Sequence, residues 1–264
     1  MRFVYRLDTL LAFLLLSLFV CGQSGRSDPF ILTIEKTKRG IVPVLCGRFD
    51  ERGQFVMQII EGTGFFIDRQ GHFVTAAHVI RGLKIIAPQQ PVPCVPAIDI
   101  PMDGWNREAP SFQTRWFKFV EEDCVIDDAL DLAVCKSPYL VPFKIYPLVL
   151  SDTKPPDGVP VAFTGFPLGN TEPLSSRCNI ATYRAAIDTD GSRELVLDKG
   201  TWPGASGSPV YGEDGRILGI LLQRGLGDGV GIAIARPAHF IVMFLRSKGI
   251  TVTTSVDNKK NRKQ

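Results

Sequence analysis

Metal-binding side chains are scarce in this sequence, which has three histidines in 264 residues and no C-x-x-C pair among its six cysteines. Thiolate zinc sites use such pairs, so we expect no bound metal and no other cofactor.

The formal net charge is only +3, which is too small to indicate nucleic-acid binding. Long apolar runs are missing too, because the longest, from Leu10 to Val20, is shorter than the ~20 residues that cross a bilayer. We therefore expect no stable membrane span.

The N-terminus has the layout of a secretory signal peptide. Arg2 and Arg6 precede the apolar run, and the small residue Gly22 follows it. This order of basic, apolar and small residues is typical of a cleaved signal. We assign residues 1–22 to the signal, which predicts a secreted or periplasmic protein. A lipid anchor at Cys21 is the alternative, and it would make the protein a membrane-attached lipoprotein.

The cysteine count predicts an unpaired thiol. Loss of the signal leaves Cys46, Cys94, Cys124, Cys135 and Cys178, an odd number, so one thiol stays free or bridges two molecules. Cys124 and Cys135 flank one short segment and are candidates for a disulfide, although their spacing does not fix the connectivity.

Short apolar runs of about four to eight residues recur between turn residues, and they predict strands. Two of them flank Asp68–Gly71, which predicts a hairpin. Gly- and Pro-rich connections favour an all-β sandwich or barrel over alternating βαβ units. The longest helix candidate is Pro237–Lys248, with Gly249 just beyond its end. The Pro-rich stretch from Ala87 to Pro110 is interpreted as a long surface loop.

A segment rich in Pro and Asp, Ser151–Gly158, divides the strand-rich chain into halves. We therefore predict an N-terminal β-domain at residues 30–150 and a C-terminal β-domain, with the terminal helix, at residues 151–250. Residues 251–264 are predicted to form a basic, flexible tail, because four of them are Lys or Arg and they follow the last apolar run.

The segment "GTWPGASGSPVY", from Gly200 to Tyr211, holds Ser206 between small residues. Gly204 and Gly207 allow a positive φ or a close approach of another group. One interpretation is a tight turn between strands. The other is a turn that exposes a nucleophilic hydroxyl and points backbone N–H groups at a substrate oxygen. The segment alone favours neither.

A serine nucleophile needs a base, and a base histidine needs a carboxylate to orient it. His78 closes the strand-like segment "FVTAAHVI", whereas His72 and His239 are interpreted as structural. Asp131 in "DDALDLAVC" enters an apolar run, where a carboxylate is costly unless it has a buried partner. Asp131, His78 and Ser206 are therefore candidates for an orienting carboxylate, a base and a nucleophile, while a structural role for His78 stays open at this point.

Together these segments resemble the trypsin-like serine peptidases, most closely the HtrA/DegP-like branch. "GTGFFIDRQGHFVTAAHVI" is similar to the histidine motif of that branch, "DLAV" to its aspartate motif and "PGASGSPV" to its serine motif. "VAFTGFPLG" resembles the strand and turn that open its second barrel, and Asp198 precedes the serine at the usual offset. The order His78, Asp131, Ser206 is also the order of this fold.

The resemblance covers roughly Gly62 to Pro237 and implies two packed six-stranded antiparallel β-barrels with a short C-terminal helix. It implies that Ser206 is the nucleophile, His78 the general base and Asp131 its orienting group. The N–H groups of Gly204 and Ser206 are the implied oxyanion hole. The resemblance also places a substrate pocket at Gly200, Leu222, Gln223, Arg224, Gly231 and Ile232.

The function implied is a serine endopeptidase that acts on protein or peptide substrates through an acyl-enzyme. No aspartate is evident at the pocket floor, so we predict cleavage after small or medium apolar residues. The chain after Pro237 is too short for the PDZ domain of that branch, and none is expected. The alternative is a catalytically silent member of the fold that binds peptides or partners.

Overall fold

The structure is a computed structural model that describes residues 28–86, 89, 95–102, 105, 113–137, 145–185, 193–222, 231–252 and 254. Strands dominate these residues, as the sequence predicts. The first part of the chain contains α1 (Pro29–Lys38), β1 (Ile41–Phe49), β2 (Phe55–Phe66), β3 (His72–Ala76), α2 (Ala77–Ile86), β4 (Val95–Pro101), β5 (Thr114–Lys118), β6 (Cys124–Asp127) and β7 (Leu132–Lys136). The second part contains β8 (Pro160–Gly165), β9 (Leu174–Ala185), β10 (Arg193–Leu197), β11 (Pro209–Tyr211), β12 (Ile217–Leu222), β13 (Ala233–Pro237) and α3 (Ala238–Ser247).

The first seven strands form one antiparallel sheet in the order β5-β4-β1-β2-β3-β7-β6. The predicted hairpin around Asp68–Gly71 is confirmed. The Asp68 carboxylate accepts from the Gln70 amide at 2.8 Å, and the Ile67 amide donates to the His72 carbonyl at 3.0 Å. β2 and β3 are thereby held in register beside each other.

The last six strands form a closed barrel in the order β10-β13-β12-β11-β8-β9. Its interior is filled by small and branched apolar side chains such as Val161, Leu195 and Leu221, each 0 % exposed. Closure leaves every strand paired on both sides, which removes exposed edges. The all-β, trypsin-like fold class is confirmed, and so is the second barrel.

The first half differs from the expected six-stranded barrel. Among the described residues it is a seven-stranded sheet whose ends do not pair. The interpretation of Ala87–Pro110 as a loop was wrong for its middle, because β4 lies there and pairs with both β1 and β5. Pro96 and Pro101 obscured this strand, but they stand near its two ends, where a missing N–H matters least.

The sequence predicted one of the three α-helices among the described residues and not the other two. α3 confirms the predicted C-terminal helix to within a residue at each end. α1 has the same length as α3, and its start signal was present in the sequence, because the Asp28 side chain accepts from the Phe30 amide and Pro29 is the first helical residue. α2 begins immediately after β3, and Ala76 before it has no side chain that could cap the helix. None of the helices among the described residues is long and apolar enough to cross a membrane.

One of the two hydrophobic clusters contains residues of both halves, and the other fills the barrel. Trp105 donates from its ring nitrogen to the Ile41 carbonyl at 3.2 Å, and its ring packs edge-on against Phe166 at 4.9 Å between centroids. Ile41 begins β1 and Phe166 follows β8, so this contact joins the sheet to the barrel. Ser151–Gly158 connects the halves, while the predicted domain boundaries stay predictions.

The candidate disulfide between Cys124 and Cys135 is present. The two residues lie directly opposite each other on β6 and β7, with 4.0 Å between their Cα atoms. Cys46 is disulfide-bonded as well, and Cys178 is the free thiol among the described cysteines. Residues 1–22, with Cys21, and most of the tail 251–264 lie outside the described residues.

Candidate active site

Strand pairing brings His78 and Asp131 together although 53 positions separate them. β3 and β7 are antiparallel, with Ala76 opposite Leu132. The residues that follow β3 and those that precede β7 therefore lie next to each other, at the same end of this strand pair. His78 is the second residue of α2, not the end of the strand as the sequence suggested, and Asp131 directly precedes β7.

Asp131 binds His78 through both carboxylate oxygens. Oδ1 accepts from the His78 backbone amide at 3.0 Å, and Oδ2 lies 2.8 Å from the ring Nδ1. Because an ionised carboxylate can only accept, the Nδ1 nitrogen carries the proton and Nε2 is left as the basic nitrogen. The Asp131 backbone has a φ of +54°, a left-handed conformation that Asp tolerates better than most residues.

The serine segment forms a tight turn just before Ser206. The Ala205 amide donates to the Trp202 carbonyl at 3.0 Å. Pro203 and Gly204 occupy the two central positions, and Gly204 has a φ of +89°, which is the pattern of a type II turn. The sequence left two alternatives, a tight turn between strands and a turn that exposes a nucleophilic hydroxyl, and both contain a turn. The structure shows the turn, with Ser206 immediately after it.

The turn is oriented by a contact that the sequence analysis missed. The Leu168 amide donates to the Pro203 carbonyl at 2.7 Å. Because the C=O and N–H of a trans peptide point in opposite directions, the Gly204 N–H is directed away from Leu168. Leu168 itself has a φ of +57°, a conformation that is uncommon for a residue of its size.

Thr63 of β2 fastens the serine segment to the sheet. Its amide donates to the Ser206 carbonyl at 2.8 Å, and its hydroxyl donates to the Gly204 carbonyl at 2.9 Å. A Cβ at Gly207 would overlap the Thr63 carbonyl oxygen, so this glycine is required by the close approach of two backbones. Thr63 stands between two glycines in "GTGFF", and that flanking was the available signal for it.

Ser206 also lies near the helix that carries His78. A Cβ at Gly62 would lie 2.6 Å from the Val79 side chain and 3.0 Å from the Ser206 carbonyl oxygen. The start of α2 and the serine segment thus come together on the same side of Gly62 in β2. Ser206 is 1 % exposed, whereas the His78 side chain is 41 % exposed.

The predicted pocket residues fall into three groups. Gly200 and Gly231 face each other, because a Cβ at Gly200 would lie 3.1 Å from the Gly231 nitrogen. Leu222 ends β12 and is buried, and Ile232 is half-buried just before β13. Gln223 and Arg224 lie outside the described residues.

The two other histidines and Asp198 contact residues outside the candidate catalytic group. His72 lies 2.5 Å from the Asp68 carboxylate in the β2–β3 hairpin, and it is half-buried rather than on an exposed face. His239 packs against the Phe240 ring, with 4.3 Å between centroids, and burial lowers its pKa. Asp198 accepts from the Asn179 amide at 2.6 Å, and that hydrogen bond lowers its pKa. Each of these contacts joins residues that are close in sequence or on neighbouring elements, and none involves His78, Asp131 or Ser206.

Comparisons with known proteins agree with this architecture. A family model described as a trypsin-like peptidase domain matches residues 62–220, more than half of the chain. The crystal structure of Deg5, of the HtrA family, is similar to this chain with a TM-score of 0.62 and 19 % identity. That alignment covers 87 % of this chain and 100 % of the other, and at such identity it shows the fold. No curated protein matches the sequence. The chain therefore belongs to the trypsin-like peptidase family and is a serine endopeptidase.

Proposed function

We propose that this endopeptidase works through Ser206, His78 and Asp131 as one catalytic unit. The observation that carries the proposal is the double contact of Asp131 with His78, at 3.0 Å to its amide and 2.8 Å to its ring. This contact fixes both the tautomer and the direction of the imidazole. Such an orienting carboxylate is what a base histidine needs in order to accept a serine proton.

The reaction proceeds in two halves. His78 accepts the proton of the Ser206 hydroxyl as the serine oxygen attacks the scissile carbonyl. The resulting imidazolium, stabilised by Asp131, then protonates the leaving amine, and the acyl group remains on Ser206. Water attacks the acyl-enzyme with His78 again as base, and the acid product leaves.

The negative oxygen of the intermediate is bound by the N–H groups of Gly204 and Ser206. The Leu168 hydrogen bond to Pro203 supports this assignment, because it turns the Gly204 amide before any substrate arrives. Donors fixed in advance avoid reorganisation during the reaction, and each is worth about 3–4 kcal/mol in such sites.

The substrates are proteins or peptides with a small or medium apolar residue at the cleaved position. The close approach of Gly200 and Gly231 supports a narrow pocket, with Leu222 and Ile232 as apolar neighbours. The role of Gln223 and Arg224 rests on the resemblance alone.

The protein is exported as a secreted or periplasmic enzyme after removal of residues 1–22. The basic start, short apolar run and small residue at Gly22 support this. Mass spectrometry of the native N-terminus tests it, and a mature chain that begins near Gln23 is expected. An acylated Cys21 would instead establish the lipoprotein alternative, and an intact Met1 would exclude export by cleavage.

A fluorophosphonate probe tests the catalytic unit directly. We expect it to label Ser206 and no other serine. Replacement of Ser206 or His78 by Ala should lower turnover by on the order of 10⁴ to 10⁶, and the double variant should lose little more than either single one. Ser208→Gly is the control, because it removes a neighbouring hydroxyl and keeps the nucleophile.

Two results would contradict the proposal. Folded Ser206→Ala protein that hydrolyses peptides at the parent rate would overturn the mechanism. An unmodified protein that neither reacts with the probe nor cleaves any peptide would favour the alternative, a catalytically silent member of the fold that binds peptides or partners.

A further inference from the structure

Glu61 is an acidic residue at the candidate site that the reaction above does not use. It lies on β2, directly before Gly62, and its carboxylate rests against the bare Cα of Gly82 on α2. A Cβ at Gly82 would overlap the Glu61 Oε1 atom. Gly82 stands four residues after His78, so both lie on the same face of the helix. Glu61 therefore lies one helical turn from the catalytic imidazole.

The Glu61 carboxylate is half-buried and has neither a hydrogen bond nor an ion pair with any of the described residues. Burial raises its pKa, and the charge of nearby His78 opposes that rise. The cations on α2 are used elsewhere, because Arg81 and Lys84 both bind Glu121. A carboxylate that is partly removed from water without a partner is costly, so a cationic ligand at this position would be stabilised.

The chemistry of the site indicates which part of a substrate reaches Glu61. His78 donates its proton to the amine of the leaving segment, so that segment passes beside the imidazole. The exposed face of α2 continues from His78 through Gly82 to Ile85, which is 61 % exposed. The carboxylate of Glu61 and the apolar surface of Ile85 thus flank the path of the leaving segment.

We propose that Glu61 is a specificity residue that selects substrates with lysine or arginine on the leaving side of the scissile bond. The inference rests on the proposed roles of His78 and Ser206. Lysine and arginine combine an apolar stem with a charged end, which matches an apolar Ile85 beside the acidic Glu61. The enzyme then combines an apolar residue on the acyl side with a basic residue on the leaving side.

Internally quenched peptides test this preference. The acyl side is held constant with valine at the cleaved position, and each of the first three leaving-side positions carries lysine or the uncharged, similarly shaped norleucine. We expect kcat/KM to favour lysine by about threefold to tenfold at one of these positions, as a partly desolvated ion pair would give. In Glu61→Gln the two peptides should be cleaved equally, and in Glu61→Lys the preference should pass to a glutamate peptide. Glu213→Gln on the exposed β11–β12 turn is the control, and it should keep the lysine preference.

A p-nitroanilide substrate, which has no leaving-side residues, separates this inference from the catalytic proposal. Any change in its hydrolysis between the parent and Glu61→Gln reports the electrostatic interaction of Glu61 with His78, so the lysine preference is measured as a ratio of two peptides, in which that change cancels. If Glu61→Gln slows all substrates alike, Glu61 acts on His78 and not on the substrate, and the inference is wrong. Equal cleavage of lysine and norleucine peptides by the parent would also overturn it. If the parent hydrolyses nothing and the fluorophosphonate probe fails, the catalytic proposal itself has failed.

Discussion

The amide of Thr63 donates to the carbonyl of Ser206 at 2.8 Å, which ties the candidate nucleophile to a strand of the opposite half of the molecule. The Thr63 hydroxyl extends the link, because it donates to the Gly204 carbonyl and accepts from the Phe166 amide at 3.0 Å. One fully buried threonine therefore contacts both the serine segment and Phe166. Phe166 begins the turn whose Leu168 amide binds the Pro203 carbonyl. The shape of the site depends on how the sheet and the barrel meet.

Thr63→Val is expected to loosen this link while it preserves side-chain volume. It leaves the Gly204 carbonyl and the Phe166 amide without their partner, so the free energy of unfolding should fall by about 1–3 kcal/mol. Turnover should fall with it, and KM should change less, because the oxyanion donors are displaced. Urea unfolding and steady-state kinetics measure the two effects. Thr63→Ser keeps the hydroxyl and is the control; an equal loss in both variants would assign the effect to the methyl group.

Gly207→Ala is expected to prevent correct folding or to cost more than about 3 kcal/mol. Its φ of +86° is unfavourable for alanine, and the new Cβ would overlap the Thr63 carbonyl oxygen. Gly53→Ala separates these causes, since Gly53 has a φ of +72° and no atom within 4 Å of the added Cβ. That control should lose only about 1–2 kcal/mol. Similar losses of stability in the two variants, measured by denaturant unfolding, would show that backbone crowding is unimportant.

Asp131→Asn is expected to lower turnover by about 10⁴ while the protein stays folded. The amide oxygen can still accept from the His78 backbone, but the amide nitrogen would then face Nδ1 and force the proton onto Nε2. The base would carry its proton on the wrong nitrogen. Asp128→Asn is the control, because Asp128 is an exposed partner of Arg81 at 3.1 Å and its loss should cost less than about 1 kcal/mol. Parent-like turnover in Asp131→Asn would contradict the assignment.

The Cys178 thiol is expected to resist alkylation in the native protein. Burial, with a smaller contribution from Asp198, raises its pKa to about 12, whereas an unfolded cysteine titrates near about 8.5. Because the folded state favours the protonated thiol, this group's contribution to stability is full below about pH 8.5 and declines as the pH rises toward about 12. Iodoacetamide at pH 8, with the labelled residue identified by mass spectrometry, should modify Cys178 slowly in native protein and quickly in urea. Rapid native labelling would show that the thiol is exposed.

His78, Asp131 and Ser206 could be singled out from the sequence because each lies in a short motif whose residues are consecutive, while their catalytic roles stay predictions. The β2–β3 hairpin and α3 were predictable for the same reason, since their turn and stop signals are local. The pairing of Cys124 with Cys135 was one of several options until β6 and β7 proved to be neighbours.

The sequence could not predict features that depend on contacts between distant segments. Leu168 and Pro203 are 35 positions apart in the numbering, and the hydrogen bond between them has no sequence pattern because it joins two backbones. Glu61 was missed because a single carboxylate in a strand has no motif, and its position beside His78 follows from packing against Gly82. β4 was missed because its prolines mask a strand that two neighbours stabilise.

The disulfide between Cys124 and Cys135 connects the two strands of the hairpin whose turn presents Asp131. A newly made chain first meets a reducing compartment, where such a bond does not persist. The hairpin would then lack its covalent link, and the carboxylate that orients His78 would be held by strand pairing alone. With the proposed export, oxidation completes this hairpin only after the protein has left the cell interior. The covalent support of the residue that contacts His78 would then depend on where the protein is delivered.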